Sequence, residues 1–164
     1  MQLKNKIKGI AVFSSNKLNG YVTLTEHNKT VIIDVNLSGL TPGKHGIHIH
    51  EAGNLLDGCK SCCAHFNPDK TRHGGPDDES NRRHTGDLGN ITANKYGIAK
   101  ERIIDSTIKL RGIKYNVIGR SLVIHQNEDD LGRGGDEESL KTGNAGERIG
   151  CAVIGYAEPY YQAS

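Results

Sequence analysis

Short period-two runs, cut repeatedly by glycine, constrain this chain more than any other feature. Val31, Ile33, Val35 and Leu37 alternate with Thr30, Ile32, Asp34 and Asn36. Successive side chains of a strand point to opposite faces, so such a run buries one face and wets the other. Val22 and Leu24 alternate in the same way with Tyr21, Thr23 and Thr25, and Asn19-Gly20 is a tight-turn dipeptide at the head of that run. Thr41-Pro42-Gly43 is a further break. Residues 98–104, 115–118, 121–125 and 149–156 read as further short strands rich in Ile and Val. No stretch keeps a helical 3.6 period over three turns. Many short strands with glycine turns predict an all-β sandwich or barrel.

The chain has 164 residues, the size of one domain. Only 35% of them are apolar, and 21 are glycine, so the core must be built from small and aliphatic side chains. The formal net charge of +2 excludes disorder driven by self-repulsion and the concentrated basic excess of a nucleic-acid binder. No apolar run approaches the roughly 20 residues of a membrane span. Residues 1–8 alternate charged and apolar side chains, without the apolar segment of a secretory signal, so a cytoplasmic protein is expected. Four cysteines, three of them at Cys59, Cys62 and Cys63, are too few for a disulfide scaffold. Cys59-x-x-Cys62 alone is a weak soft-metal or redox signal, because no second pair accompanies it.

Two stretches, 55–86 and 126–146, are polar and nearly devoid of apolar residues. Long structureless loops are rare in compact domains and are usually functional. Something other than hydrophobic burial must order them, and a metal or a disulfide would do so. The eight histidines point to metal. In Gly46-Ile-His-Ile-His-Glu51, a strand turns His48 and His50 to one face and Ile47 and Ile49 to the core. Alone, His-x-His is more often an exposed pair than a bidentate clamp. Here His65, His73 and His84 punctuate the first polar stretch, and Asp87 follows His84 by three. Three imidazoles and a carboxylate make a tetrahedral zinc set. His125 closes the strand Leu122-Val-Ile-His, and imidazole suits copper as well as zinc.

These runs closely resemble the copper/zinc superoxide dismutases. The resemblance is carried by Gly46-Ile-His-Ile-His-Glu-Ala-Gly, Ala64-His-Phe-Asn-Pro, Arg72-His-Gly-Gly-Pro, His84-Thr-Gly-Asp-Leu-Gly-Asn and Gly143-Asn-Ala-Gly-Glu-Arg-Ile-Gly-Cys. It extends from about residue 7 to residue 157 and is strongest toward the eukaryotic cytosolic branch. It implies a Greek-key β-sandwich or flattened barrel of about eight antiparallel strands with two long functional loops. The dismutase domain would span residues 1–157, with a short C-terminal extension over 158–164.

The resemblance also implies an activity, the dismutation of superoxide to dioxygen and hydrogen peroxide. One catalytic copper per subunit would be held by His48, His50, His65 and His125. One structural zinc would be held by His65, His73, His84 and Asp87, with His65 bridging the two metals. Asp129 would hydrogen-bond ligand histidines of both, as such outer partners commonly do. Arg148 would guide and orient the anion beside the copper, joining His65 as a catalytic residue, and Lys141 and Thr142 would shape the field at the channel mouth. Cys59 and Cys151 would form the intrasubunit disulfide, leaving Cys62 and Cys63 as thiols. His45 would be structural, and His27 matches nothing in the family and reads as a surface residue. Homodimerisation and loading by a copper chaperone would complete the picture.

The chain departs from the family in three places. Ten residues separate His73 from His84, two more than usual, and the excess falls within 78–83. Cys62-Cys63-Ala64 stands where Ala-Gly-Pro is common. Ala52 replaces a larger apolar residue of the dimer surface. Two competing functions fit the sequence less well. A copper metallochaperone would carry Met-x-Cys-x-x-Cys and Cys-x-Cys motifs, and this chain has neither. An inactive decoy would lack a copper ligand or the arginine, and all of these are present.

Overall fold

The computed structural model describes residues 6–161. Nine strands form two sheets: β1 (Ile7–Ser14), β2 (Asn19–His27), β3 (Thr30–Ser38), β4 (Gly43–His50), β5 (Asp87–Ala93), β6 (Ile98–Asp105), β7 (Ser121–His125), β8 (Arg148–Val153) and β9 (Gly155–Tyr156). One sheet runs β6-β3-β2-β1-β9 and the other β5-β4-β7-β8, with every pair antiparallel. β4 and β5 pair in the second sheet while β6 returns to lie beside β3 in the first, which is a Greek-key connection. No helix of the described residues is long and apolar enough to cross a membrane.

The alternation places the core as the sequence predicts. Val31, Ile33, Val35 and Leu37 of β3 are buried, and their neighbours are partly exposed. Ile47 and Ile49 of β4 meet Leu122 and Ile124 of β7 in the same apolar cluster. β1 carries no strong sequence signal because two of its inward positions are Gly9 and Ala11, beside Ile7 and Phe13.

Two expected strands differ. Residues 115–118 form no strand, only a single bridge between Lys109 and Asn116. The Asn116 side chain donates to Gly112 O at 3.0 Å and accepts from Ile118 N at 3.0 Å. Such local bonds occupy the backbone groups a ladder would need. Residues 149–156 are split between sheets. β8 ends at Val153, Ile154 exchanges hydrogen bonds with Arg120 O and Gly119 N, and β9 then joins β1. That split makes nine strands of about eight.

Both long loops are strapped to β4. Ile49 N donates to Gly86 O (2.9 Å), Phe66 N to Ile49 O (2.8 Å) and Glu51 N to Ala64 O (2.9 Å). Gly46 N donates to Asn127 O (2.9 Å) in the second loop, which carries the short helix α1 (Ser139–Thr142). His73 N donates to Leu140 O (2.8 Å) and joins one loop to the other. At the C-terminus, Ala157 N donates to Lys8 O (2.8 Å) and Tyr160 packs against the core, while Tyr161 is exposed. Residues 1–5 of the expected domain and 162–164 of the expected extension lie outside the described residues.

Candidate metal centre

Strand alternation turns His48 and His50 away from the core, but the loops cover that face and both are fully buried. β7 adds His125 beside β4, and the register irregularity between Ile124 and His125 re-aims it toward Arg148. The first loop adds His65, which bridges to His50 through the backbone. Ring centroids lie 4.1 Å apart for His48 and His65, 4.6 Å for His48 and His125, and 4.9 Å for His50 and His65.

His48, His50 and His125 are each held at one nitrogen and leave the other without a partner. His50 Nδ1 donates to Cys63 O at 2.9 Å, and His125 Nδ1 donates to Gly146 O at 3.1 Å. His48 Nε2 donates to Asp129 Oδ2 at 2.6 Å, and His73 Nε2 donates to Asp129 Oδ1 at 2.8 Å. His48 Nδ1, His50 Nε2 and His125 Nε2 are buried without a partner, while His73 Nδ1 faces Asp87. Three orphaned imidazole nitrogens in one site are the donor set a metal requires. Asp87 is oriented in the same manner. Its Oδ2 accepts from Gly74 N (3.0 Å) and His84 N (2.8 Å), which leaves Oδ1 to face His65 Nδ1 (3.0 Å), His73 Nδ1 (3.0 Å) and His84 Nδ1 (3.2 Å).

The structure thus brings two donor sets together. His48, His50, His65 and His125 offer atoms within 4.8 Å of one another, and so do His48, His65, His73 and Asp87. His84 stands at the margin of the second set, with Nδ1 3.2 Å from His65 Nδ1. Nitrogen and carboxylate donors of this kind suit zinc and copper. Gly143, at φ 71°, completes the support: a Cβ there would strike Asp129 Oδ1 and His73 Nε2. Only a residue without a side chain lets the second loop close over that bond.

Burial sets the charge state on the two sides differently. It pushes His50 down to about 2 and His125 down to about 4, with the charge of His65 lowering both further. His48 is held well below the ordinary histidine range by the same desolvation, and His65 is lowered as well. These rings are neutral at pH 7 and free to coordinate. For His73, burial opposes charge, but the bonds to Asp129 and Asp87 outweigh it and raise the ring to about 9.

A cleft of about 1070 Å³ opens over His50, His65 and His125. Arg148 lines it, and its Nη1 donates to Cys59 O at 2.8 Å. A disulfide joins Cys59, in the turn Gly58–Cys62, to Cys151 of β8. That turn therefore carries the carbonyl that fixes Arg148, and Cys63 directly after it carries the one that fixes His50. Cys62 is buried and Cys63 exposed, both as free thiols. Outside the site, His45 bonds to His125 O and Thr41 O (both 2.8 Å), and His27 is exposed.

Lys141 and Thr142 line the cleft mouth. Lys141 Nζ, however, is 2.5 Å from Glu137 Oε1, and Thr142 Oγ1 donates to Glu138 Oε1 at 2.7 Å. Lys70 lines the same cleft and escapes sequence reasoning. Among the described residues its side chain has no hydrogen-bond or ion-pair partner. A left-handed backbone (φ 54°) in a turn closed by Asn67 presents it there. The only sequence trace is Asn67-Pro-Asp-Lys, a turn signal that does not say where the lysine points.

Residues 18–154 match the family model for copper/zinc superoxide dismutase, and the chain belongs to that family. It is 57% identical to the Cu-Zn superoxide dismutase of Paramecium bursaria Chlorella virus 1 over 159 residues, which is 96% of this chain and 83% of that protein. It is 52% identical to the extracellular Cu-Zn superoxide dismutase of Drosophila melanogaster over 141 residues, 85% of this chain and 76% of that one. Among solved structures it resembles the clock protein EA4, with a TM-score of 0.87 and 38% identity, covering 94% of this chain and 98% of that one.

Proposed function

We propose that this chain is a copper/zinc superoxide dismutase in which His48, His50, His65 and His125 hold copper, and His65, His73, His84 and Asp87 hold zinc. The observation that supports it most is the set of three imidazole nitrogens, on His48, His50 and His125, buried without a partner, each on a ring anchored at its other nitrogen. Two superoxide ions and two protons become dioxygen and hydrogen peroxide. Copper when bound supplies the one-electron acceptor and donor that this requires, while zinc is redox-inert and orders the loop.

The chain's own residues do the rest. The Arg148 guanidinium, fixed by Cys59 O, attracts the anion and orients it in the cleft. His65, whose Nδ1 lies 3.0 Å from Asp87 Oδ1, would be the ligand common to both metals, and its imidazole would take up one of the two protons and pass it to the reduced product. Asp129 positions His48 and His73 together and couples the two sets. Lys70 and Lys141, with Thr142, set the field at the mouth.

The same reading takes residues 1–157 as the dismutase domain and 158–164 as an extension. It expects a cytoplasmic homodimer loaded by a copper chaperone. The free thiols Cys62 and Cys63 fit a reducing compartment, and the exposed apolar side chain of Val153 on β8 fits a contact between copies. Metal analysis joined to a superoxide-decay assay tests the whole. One copper and one zinc per chain with copper-dependent decay is expected. Zinc without copper after copper loading, and no decay, would overturn the assignment.

A further inference from the structure

Outside His73 the two loops enclose a second cavity, of about 130 Å³, that shares no lining residue with the copper-side cleft. Arg72 and Arg82 of the first loop and Arg133 of the second form its walls, together with Asp78. Three arginines therefore share the lining with one carboxylate, and Arg133 Nη1 also donates to Leu131 O at 3.0 Å. That carboxylate is already engaged: Arg133 Nη2 donates to Asp78 Oδ1 at 3.0 Å, and Gly75 N donates to Asp78 Oδ2 at 2.7 Å. Among the described residues, the side chains of Arg72 and Arg82 have no hydrogen-bond or ion-pair partner. Asp77 and Glu79 flank Asp78 at exposed positions and pair with neither.

Like charges drawn into one cleft repel, and an anion between them relieves the repulsion. Guanidinium forks match tetrahedral oxyanions in bidentate fashion, far better than they match water. The cavity has room for roughly four waters, which is about the size of one phosphoryl group. Its position gives such an anion a consequence. Arg82 lies in the turn Ser80–Arg82, within the long His73–His84 connection, and Arg133 lies in the second loop. An oxyanion held by both would tie the loops together on the outer side of His73, where the Arg133–Asp78 pair and the His73 N–Leu140 O bond already cross.

We propose that Arg72, Arg82 and Arg133 form a binding site for a phosphate-type oxyanion that clamps the zinc-side loop to its neighbour. Calorimetric titration of the metal-loaded protein with inorganic phosphate tests it, with glycerol phosphate as a second arm. One phosphate is expected to bind in the wild type and in Arg148→Ile. Arg82→Gln and Arg133→Gln should each weaken it by about tenfold or more, since each removes charge-assisted hydrogen bonds. Arg82→Lys, which keeps charge but loses the fork, should fall between. Phosphate should also slow zinc loss to a chelator severalfold in the wild type and not in Arg82→Gln. Binding of inorganic phosphate alone assigns the site to the free ion, and equal binding of glycerol phosphate assigns it to phosphate monoesters. Absence of binding at millimolar phosphate would overturn the proposal. So would binding to Arg148→Ile that survives the added Arg82→Gln/Arg133→Gln pair, or binding that Arg148→Ile abolishes. The titration stands whether or not the chain dismutates superoxide.

Discussion

The two halves of the metal centre are held in different ways. His48, His50 and His125 sit on β4 and β7, where the ladder Ile47–Ile124 to His50–Ser121 and the apolar core behind it fix the backbone. His65, His73 and His84 sit on a loop with little apolar content of its own. Carboxylates, straps to β4 and one disulfide hold them. The strand side is rigid before any metal arrives, whereas the loop side depends on charge pairing around Asp87 and on the metal. Asp129 bonds to both, through His48 and His73.

Asp129→Asn attacks that shared point and should have the largest effect. Loss of such an outer partner typically costs about 10–100-fold in metal affinity. Competition with chelators should find both metals weakened, zinc more than copper, because His48 keeps its strand and His73 has only the loop.

Cys59→Ser would loosen the loop side first. The disulfide spans a sequence separation of 92, and closing a loop of that size stabilises by about 4–5 kcal/mol on the chain-entropy model. Denaturant melts should show a loss of that order. The same variant should blunt Arg148 and His50, whose anchoring carbonyls belong to Cys59 and Cys63.

In the metal-free protein the two sides should respond to pH in opposite directions. Unfolded His125 and His50 take protons near 6.5, while burial keeps the folded rings neutral down to about 4 and about 2. Their contribution is therefore lost as pH falls below 6.5, at roughly 1.4 kcal/mol per pH unit for each ring. For His73, the hydrogen bonds to Asp129 and Asp87 outweigh burial and raise the folded value to about 9. Its contribution is complete below pH 6.5 and is lost as pH rises to about 9. Melting across pH should show both limbs, with His73→Gln removing the alkaline one and His125→Gln shrinking the acid one.

The smallest effect separates two cations at the cleft mouth. Lys70→Gln should lower kcat/KM severalfold and flatten its dependence on ionic strength, because an unpaired charge steers anions until salt screens it. Lys141→Gln should do less, since Glu137 already offsets that charge.

The strand side was the legible half. Alternation alone puts Ile47 and Ile49 inward and His48 and His50 together on the opposite face, and the structure buries them so. The loop side was legible only as a spacing of histidines and through family resemblance, since no periodicity governs where a loop folds. Where local hydrogen bonding competes with alternation the pattern misleads, as at Asn116 in the expected strand 115–118. Lys70 was invisible because its direction follows from a left-handed turn, and the pairing of Lys141 with Glu137 tempers the role that the family resemblance implies for it.

The central claim is that His65 is the ligand the copper and zinc sets share. Copper and zinc stoichiometry measured in His65→Ala beside His125→Ala tests it most directly. His65→Ala should lose zinc and weaken copper, whereas His125→Ala should keep one zinc per chain and lose copper and superoxide decay. A His65→Ala protein that binds both metals as the wild type does would contradict the shared ligand and the centre built upon it.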